Sequence, residues 1–268
     1  MVQSPIMIHI GITGSTGLVG SHLNYYLEKY TDEYKPVLID REDFKDDPST
    51  RAEHGTGQRK KLIDKLKVCD VIVHLAGLSN RADQKEIYDT NVGLTRKILD
   101  RLESLNLCPK IIFLSSVHRD KDTPYGRSKK DSELLIAEWG KKNNTPTTII
   151  ISPHIFGESP HIFNKSLKPY VGSAFATFCH ELAQNKPSTV YPIAPIELVY
   201  VGDVVVSIFN ASQNTTLEPV IYLHGKHTQM ADVYSLLKYF RDEILSGKTP
   251  VPKDDFELNC YKAFLSYV

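Results

Sequence analysis

The sequence predicts an α/β protein built on a doubly wound parallel sheet, and three observations carry that prediction. A β-branched stretch opening at residue 6 runs into Gly11, Gly14 and Gly17, then directly into an apolar-periodic segment of Leu18, Val19, Leu23, Tyr26 and Leu27. Short apolar runs alternate with segments of helical period as far as residue 151. Beyond Ser152 the alternation breaks down.

Residues 6–20 read as strand, tight turn and helix. Gly11 is expected to let the chain leave the strand sharply, Gly14 to remove a side chain where a pyrophosphate approaches, and Gly17 to bring the helix close to the strand. Ser15, Thr16, Leu18 and Val19 complete the turn, whose N–H groups and positive helix end face an anion. A second short strand over 36–40 ends in Asp40, about 20 residues after the turn, where a carboxylate holds a ribose hydroxyl. Arg41 beside it offers a cation to a 2′-phosphate.

Residues 41–59 are polar and read as an exposed loop feeding a helix at 58–66. A buried parallel-type strand at 70–74 runs into Leu75, Ala76 and Gly77, where small residues let the backbone lie against a flat ligand. Ile87, Tyr88, Val92, Leu94, Ile98, Leu99, Leu102 and Leu105 recur at helical spacing, and Pro109 then leads to a strand at 110–114 ending in Ser115 and Ser116. A short polar loop precedes Tyr125, which opens an amphipathic helix to about residue 142, and 147–151 is a fifth strand. This order puts helices on both sheet faces and a binding crevice at the carboxyl ends of the strands. Further on we expect helices at 173–184, from Gly202, at 230–245 and at 254–264, a strand pair within 189–200 and a strand at 219–223.

Composition narrows the partners. With 32 basic and 32 acidic residues in 268, the net charge is zero, so nothing favours nucleic acid or an anionic membrane. Any anionic ligand has to be held locally. No apolar run has the length of a membrane span and no basic segment precedes a hydrophobic core at the N-terminus, so a cytoplasmic protein is expected. Cys69, Cys108, Cys179 and Cys260 are widely spaced without a C-x-x-C pair, which reads as buried free thiols and no metal site.

Tyr125 and Lys129 are four apart at a helix start and share one face. A phenol titrating near ~10 is a poor proton donor at neutral pH, and an ammonium one turn away stabilises its phenolate. Ser116 at the neighbouring strand end is placed to hydrogen-bond a substrate carbonyl.

In this order, over essentially the whole chain, the motifs resemble the extended, nucleotide-sugar-modifying branch of the short-chain dehydrogenase/reductase family. The likeness is carried by Gly11, Gly14 and Gly17, by Asp40, by Asp70 ahead of His74-Leu75-Ala76-Gly77, and by Asn91, Ser116, Tyr125 and Lys129. Ser152-Pro153-His154-Ile155-Phe156-Gly157 and residues 199–205 add to it, although the family's usual arginine and asparagine are absent from the former. A closer likeness is to the reductase domain of bacterial capsule enzymes of the capsular polysaccharide F type. It rests on residues 73–77 with Asn80-Arg81, the short span from Ser116 to Tyr125, Ala176-Thr177-Phe178-Cys179 with Ala183 and Asn185, and Leu265-Ser266-Tyr267.

The resemblance implies a Rossmann-type core at 1–152 and, over 153–268, mainly a small substrate-binding lobe interleaved with late sheet elements. It implies NADP(H) or NAD(H), with the preference open because Asp40 repels a 2′-phosphate that Arg41 would accept. The dinucleotide would be held by the glycine turn with Asp40, Arg41, Leu75, Ala76, Gly77, Asn91, Ser115, Tyr125, Lys129, Pro153, His154 and Ile155. The implied substrate is a UDP-linked 4-keto-6-deoxy-N-acetylhexosamine, met by Ser79, Asn80, Arg81, Ser116, His118, His154 and Lys168 and reduced at C4. Polysaccharide biosynthesis is the implied setting, and the helices at 84–105 and 125–142 would pair with their copies in a homodimer. His118 stands where related epimerase-reductases place a cysteine acid. The capsule enzymes continue into a cupin domain that assists C3 epimerisation, and this sequence stops where that domain begins, so epimerisation stays open. Two rivals remain: a redox-neutral NAD-dependent epimerase or dehydratase, and a non-catalytic dinucleotide sensor.

Overall fold

A computed structural model describes residues 7–45, 58–79, 83–190, 195–213 and 219–268. Strand β1 (Ile8–Thr13) is buried from its third residue onward, and the chain turns at Gly14, whose φ of +70° is one that side-chain-bearing residues rarely adopt. Helix α1 (Leu18–Tyr30) follows, then β2 (Tyr34–Ile39), α2 (Gln58–Lys67) and β3 (Val71–His74). Next come α3 (Gln84–Ser104), β4 (Lys110–Ser116), α4 (Pro124–Lys142) and β5 (Thr147–Ser152). Asp83 and Thr123 cap α3 and α4 through their side chains, and Pro124 opens α4.

The strands form a parallel six-stranded sheet in the order β2-β1-β3-β4-β5-β8, where β8 is Val220–Tyr222. From β1 the chain moves to one side for β2 and returns on the other for β3, so the winding reverses between β1 and β3. Crevices at such reversals lie outside the carboxyl ends of the strands. Ile72, Phe113 and Ile149 from the sheet, Leu99 and Leu102 from α3 and Ile136 and Trp139 from α4 share one buried apolar cluster.

The described chain divides into two compact units, 1–151 with 207–222 and 152–206 with 223–268. The second holds a three-stranded sheet, β6 (His154–Phe156), β7 (Pro195–Tyr200) and β9 (Lys226–Gln229) in that order, with β7 and β9 antiparallel. Phe156, Phe178, Leu237, Phe240 and Phe264 share its core, drawing on α5 (Ala174–Ala183), α7 (Met230–Leu245) and α8 (Asp255–Leu265). Helix α6 (Val201–Gln213) has residues in both units. Among the described residues no helix is long and apolar enough to cross a membrane.

Several expectations change. The strand pair within 189–200 is a single strand, β7, and residues 191–194 lie outside the described residues. Its partners are β6 and β9, too short to show an alternation. The loop after Asp40 begins as a 3-10 helix, Arg41–Phe44, and 46–57 lie outside the described residues. Cys179 and Cys260 are buried thiols, whereas Cys69 is half-buried and Cys108 is exposed beyond the end of α3.

The glycines also exchange roles. Gly11 sits inside β1, where a Cβ would come within 2.7 Å of Cys69 Sγ; it is needed for close packing, and the chain leaves the strand at Gly14 instead. The tight approach of α1 to the turn is made at Gly20, where a Cβ would stand 2.3 Å from the Gly14 carbonyl oxygen, against 3.2 Å at Gly17. Because that collision is with backbone, Gly20→Ala is expected to destabilise the chain by about 2 kcal/mol or more. Urea unfolding of the variant checks it; an unchanged midpoint would show that the turn moves aside freely.

Candidate active site

The turn after β1 ends in a helix start that no side chain caps: Gly17 precedes α1 in extended conformation without a side-chain hydrogen bond, and no acidic residue lies in the first turn. Thr16 and Gly17 are exposed there, while Ser15, Leu18 and Val19 are buried. An uncapped, positively polarised helix end beside small residues fits a dinucleotide pyrophosphate. At the end of β2, the Asp40 carboxylate accepts a hydrogen bond from Ser15 Oγ, and the Asp40 backbone carbonyl accepts the Asp43 N–H at 3.0 Å. Asp43 returns the contact through the Asp40 N–H at 2.7 Å and takes Lys65 Nζ at 2.6 Å. The Asp40 carboxylate is thus held in one orientation, and Arg41 beside it is exposed.

The ends of β1 and β3 are tied by one hydroxyl. Thr13 Oγ1 accepts the N–H groups of Leu75 and Ala76, both at 3.1 Å, and lies 2.8 Å from His74 Nδ1. With both lone pairs engaged, Thr13 gives its hydrogen to Nδ1, so the proton of His74 sits on Nε2 and is donated to Thr95 Oγ1 at 3.1 Å. Burial pushes the His74 pKa down to about 3, with Lys129 adding to the effect, so the imidazole is neutral. Thr95 continues the network to the Asn91 carbonyl and to Ser132.

Asn91 fixes the loop after β3. Its Oδ1 accepts the Leu78 N–H at 2.6 Å and its Nδ2 donates to the Leu78 carbonyl and Ser128 Oγ, both at 3.0 Å. Ser128 in turn donates to the Tyr125 carbonyl at 2.7 Å. Leu75 and Ala76 are half-buried there and Gly77 and Ser79 exposed.

Ser116 closes β4 and caps a 3-10 turn, Val117–Asp120, by accepting the His118 N–H at 3.2 Å. That turn lies on the first turn of α4, since a Cβ on Gly126 would stand 2.5 Å from the His118 carbonyl oxygen and 2.3 Å from that of Lys121. His118 and Tyr125 are half-buried. Lys129 is buried: its Nζ donates to the Leu114 carbonyl at 2.8 Å, lies 4.7 Å from the centre of the Phe113 ring and 5.8 Å from that of Tyr125. Burial lowers its pKa to about 8, against the opposing field of Glu133. Ser115 is buried and its hydroxyl donates to Glu133.

The structure therefore brings the glycine turn, residues 75–79, Asn91, Ser116, His118, Tyr125 and Lys129 together at the carboxyl ends of β1, β3 and β4. Asn80 and Arg81 lie outside the described residues. Pro153 (buried), His154 (exposed), Ile155 (half-buried) and Lys168 (exposed) belong to the second unit. Thr13, Thr95, Asp43 and Glu133 were not singled out from the sequence. Only Glu133, one turn beyond Lys129, carries a local signal that would have found it.

Comparison with known proteins gives a consistent result. A family model described as the NAD dependent epimerase/dehydratase family matches residues 10–223. The chain is 30% identical over 195 residues to a UDP-2-acetamido-2,6-beta-L-arabino-hexul-4-ose reductase from Pseudomonas aeruginosa, covering 72% of this chain and 46% of that protein. The capsular polysaccharide assembling protein CapF from Staphylococcus aureus superposes with a TM-score of 0.76 at 27% identity, over 97% of this chain and 65% of CapF. The chain thus spans about half the length of the first and less than two thirds of the second. A UDP-glucuronic acid 4-epimerase from Bacillus cereus in complex with NAD shares the fold, with a TM-score of 0.73 at 20% identity over 97% of this chain and 98% of that one.

The His74 network sets a pH dependence. A group at about 3 folded and near 6.5 unfolded takes up its proton first in the unfolded state, so stability is lost as pH falls from 6.5 towards 3. Between pH 7.5 and 5 the share due to His74 is about 2 kcal/mol. His74→Gln, which does not titrate, is expected to show a correspondingly shallower acid loss in urea unfolding at the two pH values. Parallel losses in both proteins would show that His74 is not held neutral.

Proposed function

The chain belongs to the NAD dependent epimerase/dehydratase family, and from that premise we propose that it reduces the C4 ketone of a UDP-linked 4-keto-6-deoxy-N-acetylhexosamine on the way to a polysaccharide precursor. One observation supports this most: a buried lysine 5.8 Å from the Tyr125 ring, on the helix that meets the turn after Ser116. A bound nicotinamide dinucleotide supplies the hydride. The protein's own residues manage the proton. Tyr125 donates to the C4 oxygen as the hydroxyl forms, and the Lys129 ammonium steadies the phenolate left behind. Ser116, whose Oγ already accepts the His118 N–H, directs its hydrogen to the ketone oxygen. A dinucleotide sensor would need the glycine turn but none of these three groups.

We extend the proposal to coenzyme and stereochemistry. The fixed Asp40 carboxylate suits a ribose diol and repels a 2′-phosphate, which favours NADH. The 4-keto group acidifies the C3 hydrogen, Ser116 and Tyr125 bind the oxygen that would carry the enolate charge, and His118 in the same turn is the candidate to move the C3 proton. Inversion at C3 before reduction is therefore included. Lys168 and Arg81 are the proposed cations for the diphosphate. A homodimer paired through α3 and α4 is also proposed, since Leu134 on α4 is 52% exposed and Gly93 on α3 has open space where a side chain would stand.

The decisive assay incubates the protein in deuterated water with an enzymatically made UDP-4-keto-6-deoxy-N-acetylhexosamine and each reduced coenzyme, with NMR of the product. The expected outcome is a C4 alcohol, formed faster with NADH and carrying deuterium at C3. Tightly held coenzyme with no net oxidation would favour a redox-neutral epimerase, and protium retained at C3 would leave reduction alone.

Tyr125→Phe is expected to keep coenzyme binding and lose reduction by about 10² or more, because it deletes the proton donor at almost constant volume. Undiminished turnover would assign protonation of the C4 oxygen to another group.

A further inference from the structure

One carboxylate close to the site has no part in the proton transfer described above. Glu133, with 8% of its side chain exposed, sits on α4 one turn beyond Lys129 and so shares its helix face. Its Oε1 accepts from Ser115 Oγ, and its Oε2 pairs with Arg119 Nη2 at 3.0 Å. Arg119, whose side chain is 16% exposed, follows His118 in the 3-10 turn that Ser116 caps. Ser115 and Ser116 are consecutive in β4 and point to opposite sides of it. The ion pair therefore joins strand, turn and helix around the group that Lys129 serves.

We infer that Arg119 and Glu133 are a positioning pair: together they hold the turn carrying Ser116 and His118 on α4 and set the charge balance beside Lys129. The inference deepens the proposed role of Lys129 and rests on it. Among the described residues, the charged or titratable groups around the Lys129 ammonium are Tyr125 and Glu133 on α4, His74 on β3 and, through Glu133, Arg119 from the turn, whose Nε also stands 3.9 Å from the exposed Asp120 carboxylate. His74 is neutral, so the balance rests on the Glu133 anion and the Arg119 cation that offsets it. Burial and Glu133 push the lysine in opposite directions. Removing the anion lets burial act unopposed, while removing the cation leaves the anion uncompensated, so the two deletions have opposite signs. A pair that served folding alone would not produce that pattern.

The test reads Lys129 directly, by NMR pH titration of protein carrying 13C-labelled lysine, with Lys129→Met assigning the signal. No substrate is needed, so a failed reductase assay and a failed inference are distinguishable. The wild-type midpoint is expected near about 8. Glu133→Gln, close in shape and still able to accept from Ser115, should lower it by about one unit or more, and Arg119→Met should raise it. Arg119→Lys, which keeps a cation, should hold the wild-type midpoint, and Arg119→Gln, which also removes the charge and should also raise it, serves in place of Arg119→Met if that variant does not fold. Shifts of the same sign in the first two variants, or no shift in Glu133→Gln, would overturn the inference.

Discussion

The arrangement depends on the ends of β1 and β3 being held together where the sheet reverses its winding. That junction closes around Thr13 Oγ1, which takes two backbone N–H groups from the chain leaving β3 and hands its own hydrogen to His74. Gly14 follows immediately, and a Cβ on it would lie 3.0 Å from the Ala76 backbone. The glycine turn and the 75–79 loop are therefore one packed object. If the hydroxyl did not satisfy those N–H groups, each would be an unpaired polar group at a partly buried site, at a cost of about 1–3 kcal/mol.

From that junction order spreads by hydrogen bonds. His74 passes it to Thr95 on α3, Thr95 to Ser132 on α4, and Asn91 to Ser128, which bonds the Tyr125 carbonyl. A change at the glycine turn and a change beside Tyr125 are thus linked through a continuous set of satisfied groups. Such networks favour one arrangement strongly, because a half-satisfied version in a low dielectric is worse than none.

How legible this was from sequence varies with distance along the chain. The first four helices and five strands read correctly because central parallel strands are apolar on both faces, as in Val71–His74, and the helices carry a clear period. The glycine turn and the Tyr125–Lys129 spacing are local and equally readable. The Thr13–His74 and Thr95–Ser132 contacts join residues 61 and 37 apart, and no period or motif announces them. Strand β9, Lys-His-Thr-Gln, carries no apolar residue and is a strand only because β7 supplies its partner. The glycines were found by spacing, yet which one turns the chain and which admits the helix follows from packing partners the spacing does not name.

The electrostatics of Lys129 bear most directly on the choice between a catalyst and a binder. Its pKa falls from 10.5 to about 8, so at neutral pH it is charged in both folded and unfolded states, and the folded state carries the full penalty of burying it, about 3 kcal/mol. The penalty shrinks only as pH rises from 8 towards 10.5, where the folded lysine loses its proton first. Against a typical stability of about 5–15 kcal/mol that is a large concession. The Leu114 carbonyl and the Phe113 ring ease it without removing it. An exposed lysine would meet a dinucleotide's ribose or phosphates without this penalty. Burial makes sense where the ammonium must act on one neighbour at low dielectric, and Tyr125, whose ring centre lies 5.8 Å away, is the neighbour for which we propose the proton donor's role.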